Sequence, residues 1–264
     1  MRLAEASDDL QATALGGSAA YDFATDAGID AILSSVADDK PGLLVLAAAM
    51  TNVDRCEREA DRAMRANAEA VSRIAEACSE SEVGLIFYSS DYVHDGSGPK
   101  SEEDAPAPLN VYGRSKAAAE LAIREAGGEY LIVRINVPLA RPEDGENFYS
   151  FVARNLLADK PVKIVTDQWG NPLDTGRIAR WSLEAWQKGE RGILHLGGGS
   201  YLTRFDAARM IATHLGKDPA LVISISTEQL NQIARRPRRG GLLIARQSEL
   251  FGTAPDLPTI LRSL

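Results

Sequence analysis

Tyr112 and Lys116 lie four residues apart in the run Tyr112-Gly113-Arg114-Ser115-Lys116. Residues with this spacing share one face of a helix, so the phenol and the ammonium can act on one small volume. A phenol has a pKa of about 10 in water, and a cation beside it favours the phenolate and lowers that pKa. The pair predicts a tyrosine that exchanges a proton near neutral pH. On the pair alone, an exposed helix start explains the spacing equally well.

A hydroxyl side chain precedes this pair, at the end of an apolar segment, in the run Tyr88-Ser89-Ser90-Asp91-Tyr92. Hydroxyls at the carboxyl end of a parallel strand face the crevice in which such sheets bind ligands. A serine there can donate a hydrogen bond to a substrate carbonyl while the tyrosine transfers the proton. Ser, Tyr and Lys in this order predict a reductase site. The alternative is a strand-end turn in which Asp91 caps the next segment.

Short apolar segments alternate with longer helical patterns, which is typical of βαβ units and a parallel sheet. In the first half we predict strands over residues 10–15, 43–47, 83–88 and 130–134. We predict helices over residues 53–78, as one helix or two joined ones, and over residues 111–126, where two glycines follow. The sequence thus predicts an α/β protein with a Rossmann-like parallel sheet.

The composition changes after Asn136, where a polar turn with a proline follows and the predicted elements become shorter. We predict helices over residues 148–158, 174–187 and 203–215 and strands over residues 162–165 and 193–196. From Ala234 onward the chain is rich in Arg and Pro and then weakly helical. This break divides the chain into a dinucleotide-binding part, residues 1–140, and a smaller substrate-binding α/β part, residues 141–264.

The chain has 264 residues, 45% of them hydrophobic and 25% charged, and a net charge of −8. These fractions are those of an ordinary globular protein, and the negative charge argues against nucleic acid or an anionic membrane as a partner. The sequence has no apolar run of the ~18 residues that a membrane span needs, and its first residues lack a signal-peptide pattern. Two cysteines make neither a disulfide framework nor a metal-ligand pattern. We therefore expect a cytoplasmic protein without a bound metal.

Three runs together resemble the dTDP-4-dehydrorhamnose reductase family, a branch of the extended short-chain dehydrogenases/reductases. They are residues 47–57 (AAAMTNVDRCE), 88–96 (YSSDYVHDG) and 108–116 (PLNVYGRSK). The resemblance continues through residues 130–134, 147–148, 167–172 and 234–237, and so covers most of the chain. It implies NADPH-dependent reduction of a 4-keto group on a nucleotide-linked deoxysugar. It also implies NADP or NAD as the cofactor, with a homodimer as a candidate assembly.

The resemblance assigns roles to individual residues. The family's catalytic positions fall on Ser90, where threonine is usual, Tyr112 and Lys116. Its cofactor-binding positions fall on Asp22 near the adenine, on Ala47, Ala48 and Ala49 beside the ribose and diphosphate, and on Tyr112 and Lys116. Its substrate-binding positions fall on Met50, Asn147, Arg235 and Arg236. Met50 replaces the usual aromatic residue or histidine, and for the two arginines a solvated basic loop is the alternative.

The family begins with a strand and a Gly-rich turn, G-x-x-G-x-x-G, whose backbone N–H groups hold the cofactor diphosphate at a helix start. This sequence contains no such turn, and residues 1–6 resemble the end of the helix that would follow it. We therefore expect the first strand of the sheet to be missing and NADPH to bind weakly. A start codon assigned too late and a natural truncation both explain this departure.

Three functions remain open at this point. The intact set of Ser90, Tyr112 and Lys116 favours a 4-keto reductase of nucleotide sugars. The missing Gly-rich turn favours a non-catalytic binding or regulatory subunit on the same fold, as in the regulatory subunit of methionine adenosyltransferase. The third is epimerisation or dehydration of a nucleotide sugar, for which the sequence offers no acidic residue beside Ser90 other than Asp91.

Overall fold

The computed structural model describes residues 23–264. Its strands, in chain order, are β1 (Leu43–Leu46), β2 (Gly84–Ser90), β3 (Tyr130–Ile135), β4 (Pro138–Leu139), β5 (Val162–Val165), β6 (Trp169–Gly170), β7 (Leu173–Asp174), β8 (Gly192–Leu196), β9 (Leu202–Thr203) and β10 (Val222–Ile225). The predicted strand over residues 10–15 and the cofactor-binding candidate Asp22 fall outside the described residues. The same holds for the start of the chain, on which the expectation of a missing first strand rests.

Four of these strands form the main sheet, which is parallel and has the order β1-β2-β3-β8. Leu46 pairs with Phe87 and Ser90 with Ile135, so the carboxyl ends of the strands meet at one edge. The predicted Rossmann-like α/β fold is confirmed, including the parallel pairing of residues 43–46 with their neighbours in β2.

The helices, in chain order, are α1 (Asp26–Asp39), α2 (Val53–Arg58), α3 (Ala60–Met64), α4 (Ala70–Glu80), α5 (Val111–Ala126), α6 (Phe148–Leu157), α7 (Thr175–Gln187), α8 (Arg204–His214), α9 (Ala245–Phe251) and α10 (Leu257–Ser263). A π-helical segment, Arg65–Glu69, joins α3 to α4. Among the described residues no helix is both long and apolar enough to span a membrane.

The two faces of the main sheet are covered by different helices, because successive side chains of a strand point in opposite directions. Leu85 and Phe87 pack with α1, α4 and α5, and this core includes Cys78. Ile86 and Tyr88 pack on the other face, in a core built largely from α6, α7, α8 and α10. Burial on both faces explains why β2 is apolar at nearly every position.

The smaller elements of the second half stand beside the main sheet in three two-stranded pairs. β5 pairs with β10 in parallel, β4 pairs with β7 in parallel, and β6 pairs with β9 antiparallel. β8 comes from this half of the sequence and yet pairs with β3 in the main sheet. The division into residues 1–140 and 141–264 stays a prediction.

The structure differs from the sequence prediction in residues 53–78. Two helices, the π segment and a third helix replace the one or two helices that we predicted there. The first break falls at Glu59, whose backbone (φ −116°, ψ 54°) is not helical. Helix α1 and strand β10 were not predicted. α1 carries Ile29, Ile32 and Val36 on its buried face, a helical spacing that the sequence does show.

Candidate active site

Ser90 is the last residue of β2 and lies at the carboxyl end of the main sheet. The chain leaves the strand in a 3-10 turn over Asp91–Val93. The Ser90 side chain caps this turn, since its Oγ accepts a hydrogen bond from Tyr92 N at 3.2 Å. Its hydroxyl proton is donated to Asp91 Oδ1 at 3.2 Å. The strand end therefore holds the Ser90 hydroxyl through two neighbouring residues.

The start of α5 lies against the turn that follows Ser90. Asn110 caps the helix, since its Oδ1 accepts from Gly113 N at 2.8 Å. A Cβ atom on Gly113 would lie 2.1 Å from Tyr92 O, so only glycine allows this approach. Tyr112 and Lys116, in the first two turns of α5, are thereby brought to the end of β2.

The Tyr112 phenol lies near the Ser90 hydroxyl, which favours its ionised form. Its ring packs edge-on against Tyr92, with ring centres 5.8 Å apart. Burial raises the pKa of Tyr112 well above its ordinary value, the Ser90 hydroxyl opposes the rise, and nearby Asp91 adds to it. The phenol is therefore neutral and holds a proton that it can donate.

The Lys116 side chain is buried, and its Nζ donates to Tyr88 O at 2.8 Å. The same Nζ lies 4.4 Å from the centre of the Phe87 ring. Burial lowers the pKa of Lys116 to about 8, and the Glu120 carboxylate one turn along the helix opposes this. We expected the ammonium to lower the pKa of Tyr112. The structure differs, because the ammonium donates to the Tyr88 carbonyl, and burial is the main influence on the pKa of Tyr112 and raises it.

Behind Lys116 lies a buried charged cluster that the sequence analysis missed. Arg134 of β3, 1% exposed, forms a two-pronged ion pair with Glu120, at 3.0 Å and 2.6 Å. Ser89 Oγ donates to the same carboxylate. The Nε2 atoms of His94 and His195 each lie 3.3 Å from Arg134 Nη1. This Arg134 cluster joins the end of β2 to helix α5 and to strands β3 and β8.

Asp91 is a second buried polar centre beside Ser90. Its Oδ2 accepts from Asn136 Nδ2 and, at 3.2 Å, from Gly241 N. Burial raises the pKa of Asp91, while these hydrogen bonds and the Arg204 charge oppose the rise. Asp91 thus connects the hydroxyl of Ser90 to the end of β3 and to residues 234–243, which we call the C-terminal segment.

Ala47, Ala48 and Ala49 follow β1 at the edge where Ser90 lies, and Ala47 is exposed while the other two are half-buried. Met50 comes next and packs in a small apolar cluster with Tyr112. These residues therefore surround the same end of the sheet as Ser90 and Tyr112.

Asn67, in the π-helical segment, holds Met50 in place. Its Oδ1 accepts from Met50 N at 2.7 Å, and its Nδ2 donates to Met50 O at 3.0 Å. The same amide donates to Ser115 Oγ of α5 at 3.1 Å. Cys56 Sγ adds a contact to Met50 O at 3.3 Å. π-helical turns often accompany functional sites, but the Ala-rich sequence around Asn67 gives no signal for one.

The predicted substrate-binding residues of the second half lie in different surroundings. The Arg235 side chain is exposed, and within residues 23–264 its guanidinium has no hydrogen-bond or ion-pair partner. Arg236 forms an ion pair with Asp54 of α2 at 3.2 Å and donates to Ala234 O. Asn147 caps α6, and its amide group also donates to Ala140 O and Gly145 O. Asn147 is thus engaged in holding the backbone before α6.

The polar residues that the sequence analysis missed are buried and come from separate elements. Glu120 alone offered a signal, since it continues the face of Tyr112 and Lys116 by one more turn. Across residues 23–264 no group of three or more His, Cys, Asp or Glu side chains could hold a metal ion.

The parallel sheet, with Ser90, Tyr112 and Lys116 meeting at its carboxyl edge, defines an extended short-chain dehydrogenase/reductase. A family model described as RmlD substrate binding domain matches residues 1–257, and the chain belongs to this family, that of the dTDP-4-dehydrorhamnose reductases.

Relatives and solved structures agree with this assignment. The chain is 34% identical, over 84% of its length and 76% of the relative's, to a protein of Haloferax volcanii named probable low-salt glycan biosynthesis reductase Agl14. It is 32% identical, over the same shares, to dTDP-4-dehydrorhamnose reductase of Escherichia coli. The structure resembles that of the Bacillus anthracis dTDP-4-dehydrorhamnose reductase in complex with NADP, with a TM-score of 0.84 and 26% identity, covering 93% of this chain and 86% of that one.

Proposed function

We propose that this chain reduces the 4-keto group of a nucleotide-linked deoxysugar with NADPH. The observation that carries the proposal is the meeting of Ser90, Tyr112 and Lys116 at the edge where the strands of the main sheet end. The named activity of the relatives, which are reductases, supports it.

Each of the three residues has a separate task in this reaction. Tyr112 donates its proton to the sugar oxygen, because its raised pKa keeps the phenol protonated. Ser90 lies beside that phenol and donates to the same oxygen. Lys116 carries a buried positive charge at the same edge of the sheet, which favours the negative charge that develops on the substrate oxygen.

The described residues fit the nicotinamide end of the cofactor. Ala47 to Ala49 present small side chains at the sheet edge, so that a ribose can approach their backbone, and Lys116 lies buried at the same edge. We propose that these residues, with Tyr112, hold the nicotinamide ribose, and that Asp22, which falls outside the described residues, contributes to adenine binding. The reduced cofactor, NADPH or NADH, supplies the hydride when bound.

For the substrate, we propose that Met50 lines the sugar site and that Arg235 binds the diphosphate. Met50 packs with Tyr112, and Arg235 is an exposed arginine next to Arg236, which is paired with Asp54. Arg236 and Asn147 support substrate binding indirectly. Arg236 holds the C-terminal segment in position, and Asn147 holds the start of α6.

The Tyr112→Phe variant tests the function. We expect kcat to fall by about 10²–10⁴-fold with little change in KM, because the phenol acts in the transition state. The measurement is NADPH oxidation by a dTDP-4-keto-6-deoxysugar. The matched control is Tyr130→Phe, at the amino end of β3, which should leave kcat unchanged. Equal kcat in the wild type and Tyr112→Phe would contradict the proposed role.

The non-catalytic alternative predicts binding of nucleotide sugar without NADPH oxidation in the wild type. An epimerase or dehydratase would convert the sugar without net oxidation of NADPH. We further propose that residues 1–140 bind the cofactor, that residues 141–264 bind the substrate, and that the chain works in the cytoplasm as a homodimer.

A further inference from the structure

The hydrogen bonds of the Ser90 hydroxyl leave it no proton for a substrate in this structure. A serine hydroxyl has one proton to donate and two lone pairs that accept. Ser90 donates its proton to Asp91 Oδ1 and accepts from Tyr92 N, and the Tyr112 phenol lies beside it. With its proton directed to Asp91, Ser90 can offer Tyr112 only a lone pair. The Ser90 proton that the reduction needs therefore points away from the cleft.

The two oxygens of Asp91 have different surroundings. Oδ2 is occupied by two N–H donors, Asn136 Nδ2 and Gly241 N. Oδ1 faces the Ser90 hydroxyl. A proton added to Asp91 therefore has room on Oδ1, from which it would be donated to Ser90 Oγ. Ser90 would then accept from Asp91 and from Tyr92 N, and its own proton and that of Tyr112 would be free to turn toward the cleft.

We propose that Asp91 is a positioning residue whose protonation sets the direction of the Ser90 hydroxyl. This proposal rests on the proposed reductase function. In the carboxylate form, Asp91 directs the Ser90 proton inward. In the acid form, Asp91 donates to Ser90, and Ser90 and Tyr112 both direct their protons to the sugar carbonyl.

Charged and titratable groups from several elements surround Asp91. Arg204, at the start of α8, favours the carboxylate, whereas burial favours the acid and raises the pKa of Asp91. Tyr92 and Tyr112 lie near Asp91 on the side that faces Ser90, and the Asp91 charge acts on both phenols. Tyr201 and Arg239 are also near, since burial raises the pKa of Tyr201, Arg239 opposes the rise, and the Asp91 charge adds to it. The C-terminal segment is also close, because a Cβ on Gly240 would lie 2.6 Å from Asp91 Oδ2.

The Asp91→Asn variant gives a sharp test, because the amide can fit the site in only one orientation. Its oxygen must accept from Asn136 and Gly241, so its NH₂ faces Ser90 and donates, as the protonated acid would. We expect kcat of the wild type to fall as the pH rises through the ionisation of Asp91. Asp91→Asn should retain kcat within about threefold at the wild-type optimum and should lack that limb of the pH profile.

Two further variants complete the kinetic test. Asp91→Ala leaves Ser90, Asn136 and Gly241 without their partner, and kcat should fall about tenfold or more at every pH. Asp95→Asn is the matched control, since Asp95 binds Ser97 of its own turn and pairs with Lys100, away from Ser90, and it should keep the wild-type limb. A fall in kcat that is caused by deprotonation of Lys116 would persist in all of these variants. A wild-type pH profile in Asp91→Asn, or a loss as large as in Asp91→Ala, would overturn the proposal.

A measurement without turnover separates this proposal from the proposed function. In ¹³C NMR spectra of the aspartate carboxyl carbons, the Asp91 resonance is identified as the one that is missing from Asp91→Asn. In the wild type this resonance should titrate above the ordinary range of a carboxyl group. It should shift in Ser90→Ala, which removes the partner of Oδ1. An Asp91 titration that Ser90→Ala leaves unchanged overturns the proposal. Absence of turnover in the wild type, with any nucleotide sugar, counts against the proposed function alone.

Discussion

The ammonium group of Lys116 lies inside the protein, where burial makes its charged form less favourable than it is in water. The pKa falls from 10.5 to about 8, mainly through burial. Between these two pH values the unfolded chain binds more protons than the folded protein, so stability rises with pH in that window. Below about pH 8 the full cost of the buried charge is present. The residue that the proposed reaction needs thus lowers the stability of the fold.

We therefore expect Lys116→Met to raise the free energy of unfolding at pH 7 by about 1–3 kcal/mol while abolishing reduction. The gain should shrink as the pH rises from about 8 to about 10, since the wild-type amine is then neutral. Urea unfolding at pH 7 and pH 10 measures both effects.

Lys188 offers a matched control for this variant. It also donates to a backbone carbonyl, Leu250 O, and lies 4.9 Å from the centre of the Phe251 ring, but it is exposed. Lys188→Met should not stabilise the protein in a pH-dependent way. A pH-dependent gain in Lys188→Met, or none in Lys116→Met, would contradict a burial cost specific to Lys116.

At the scale of the element, the position of α5 decides whether the phenol reaches Ser90. A glycine in an exposed helix costs up to about 1 kcal/mol relative to alanine. At Gly113 this preference is reversed, because a Cβ would meet the Tyr92 carbonyl at 2.1 Å, and that carbonyl belongs to a buried turn. Alanine there must push the helix start away from the end of β2.

Gly113→Ala should lower kcat at least about tenfold and the free energy of unfolding by about 1–3 kcal/mol. Gly176→Ala, in the first turn of α7, is the control, since its nearest neighbour would lie 3.3 Å away. It should change stability by less than about 1 kcal/mol. Steady-state kinetics and urea unfolding of both variants test this, and wild-type kcat in Gly113→Ala would show that α5 tolerates the shift.

The same elements show what a sequence can predict. The bounds of α5 agree with the prediction, since Asn110 caps its start and Gly127 follows its end. β1 and β2 were predictable because each is an unbroken apolar run. β2 is buried at every position, whereas β1 is half-buried at three of its four residues. The π segment was not, because alanine suits any helix and the irregular backbone depends on tertiary contacts, here those of Asn67 with Met50.

At the scale of the whole molecule, the Arg134 cluster joins elements that are distant in sequence. Arg134 contacts Glu120 of α5, His94 after β2 and His195 of β8. The sequence could not predict this cluster, because its members are single polar residues without a shared spacing. By contrast, Tyr112 and Lys116 were found because they lie on one helix, and Ser90 because it ends a recognisable strand.

The cluster makes folding sensitive to acid. Burial and the Arg134 charge lower the pKa of His195 from 6.5 to about 3. The unfolded chain takes up this proton at a higher pH than the folded protein, so the free energy of unfolding falls as the pH drops from 6.5 toward 3.

His195→Gln should therefore reduce the loss of unfolding free energy between about pH 7 and pH 4 by about 1–2 kcal/mol, although it lowers stability at pH 7. Urea unfolding at both pH values measures the difference. His214→Gln, at an exposed position at the end of α8, should keep the acid sensitivity of the wild type. If His195→Gln loses as much unfolding free energy between pH 7 and pH 4 as the wild type, other groups cause the acid sensitivity.

Both cysteines of the chain, Cys56 and Cys78, are buried, and burial raises the pKa of each thiol to about 11. Alkylating dyes react with the thiolate, so the native protein is almost inert toward them at neutral pH. A cysteine placed at Ile233, which is 55% exposed, would be the one fast-reacting thiol. The natural protein is thus a ready background for a single fluorophore beside the C-terminal segment, without removal of either native cysteine.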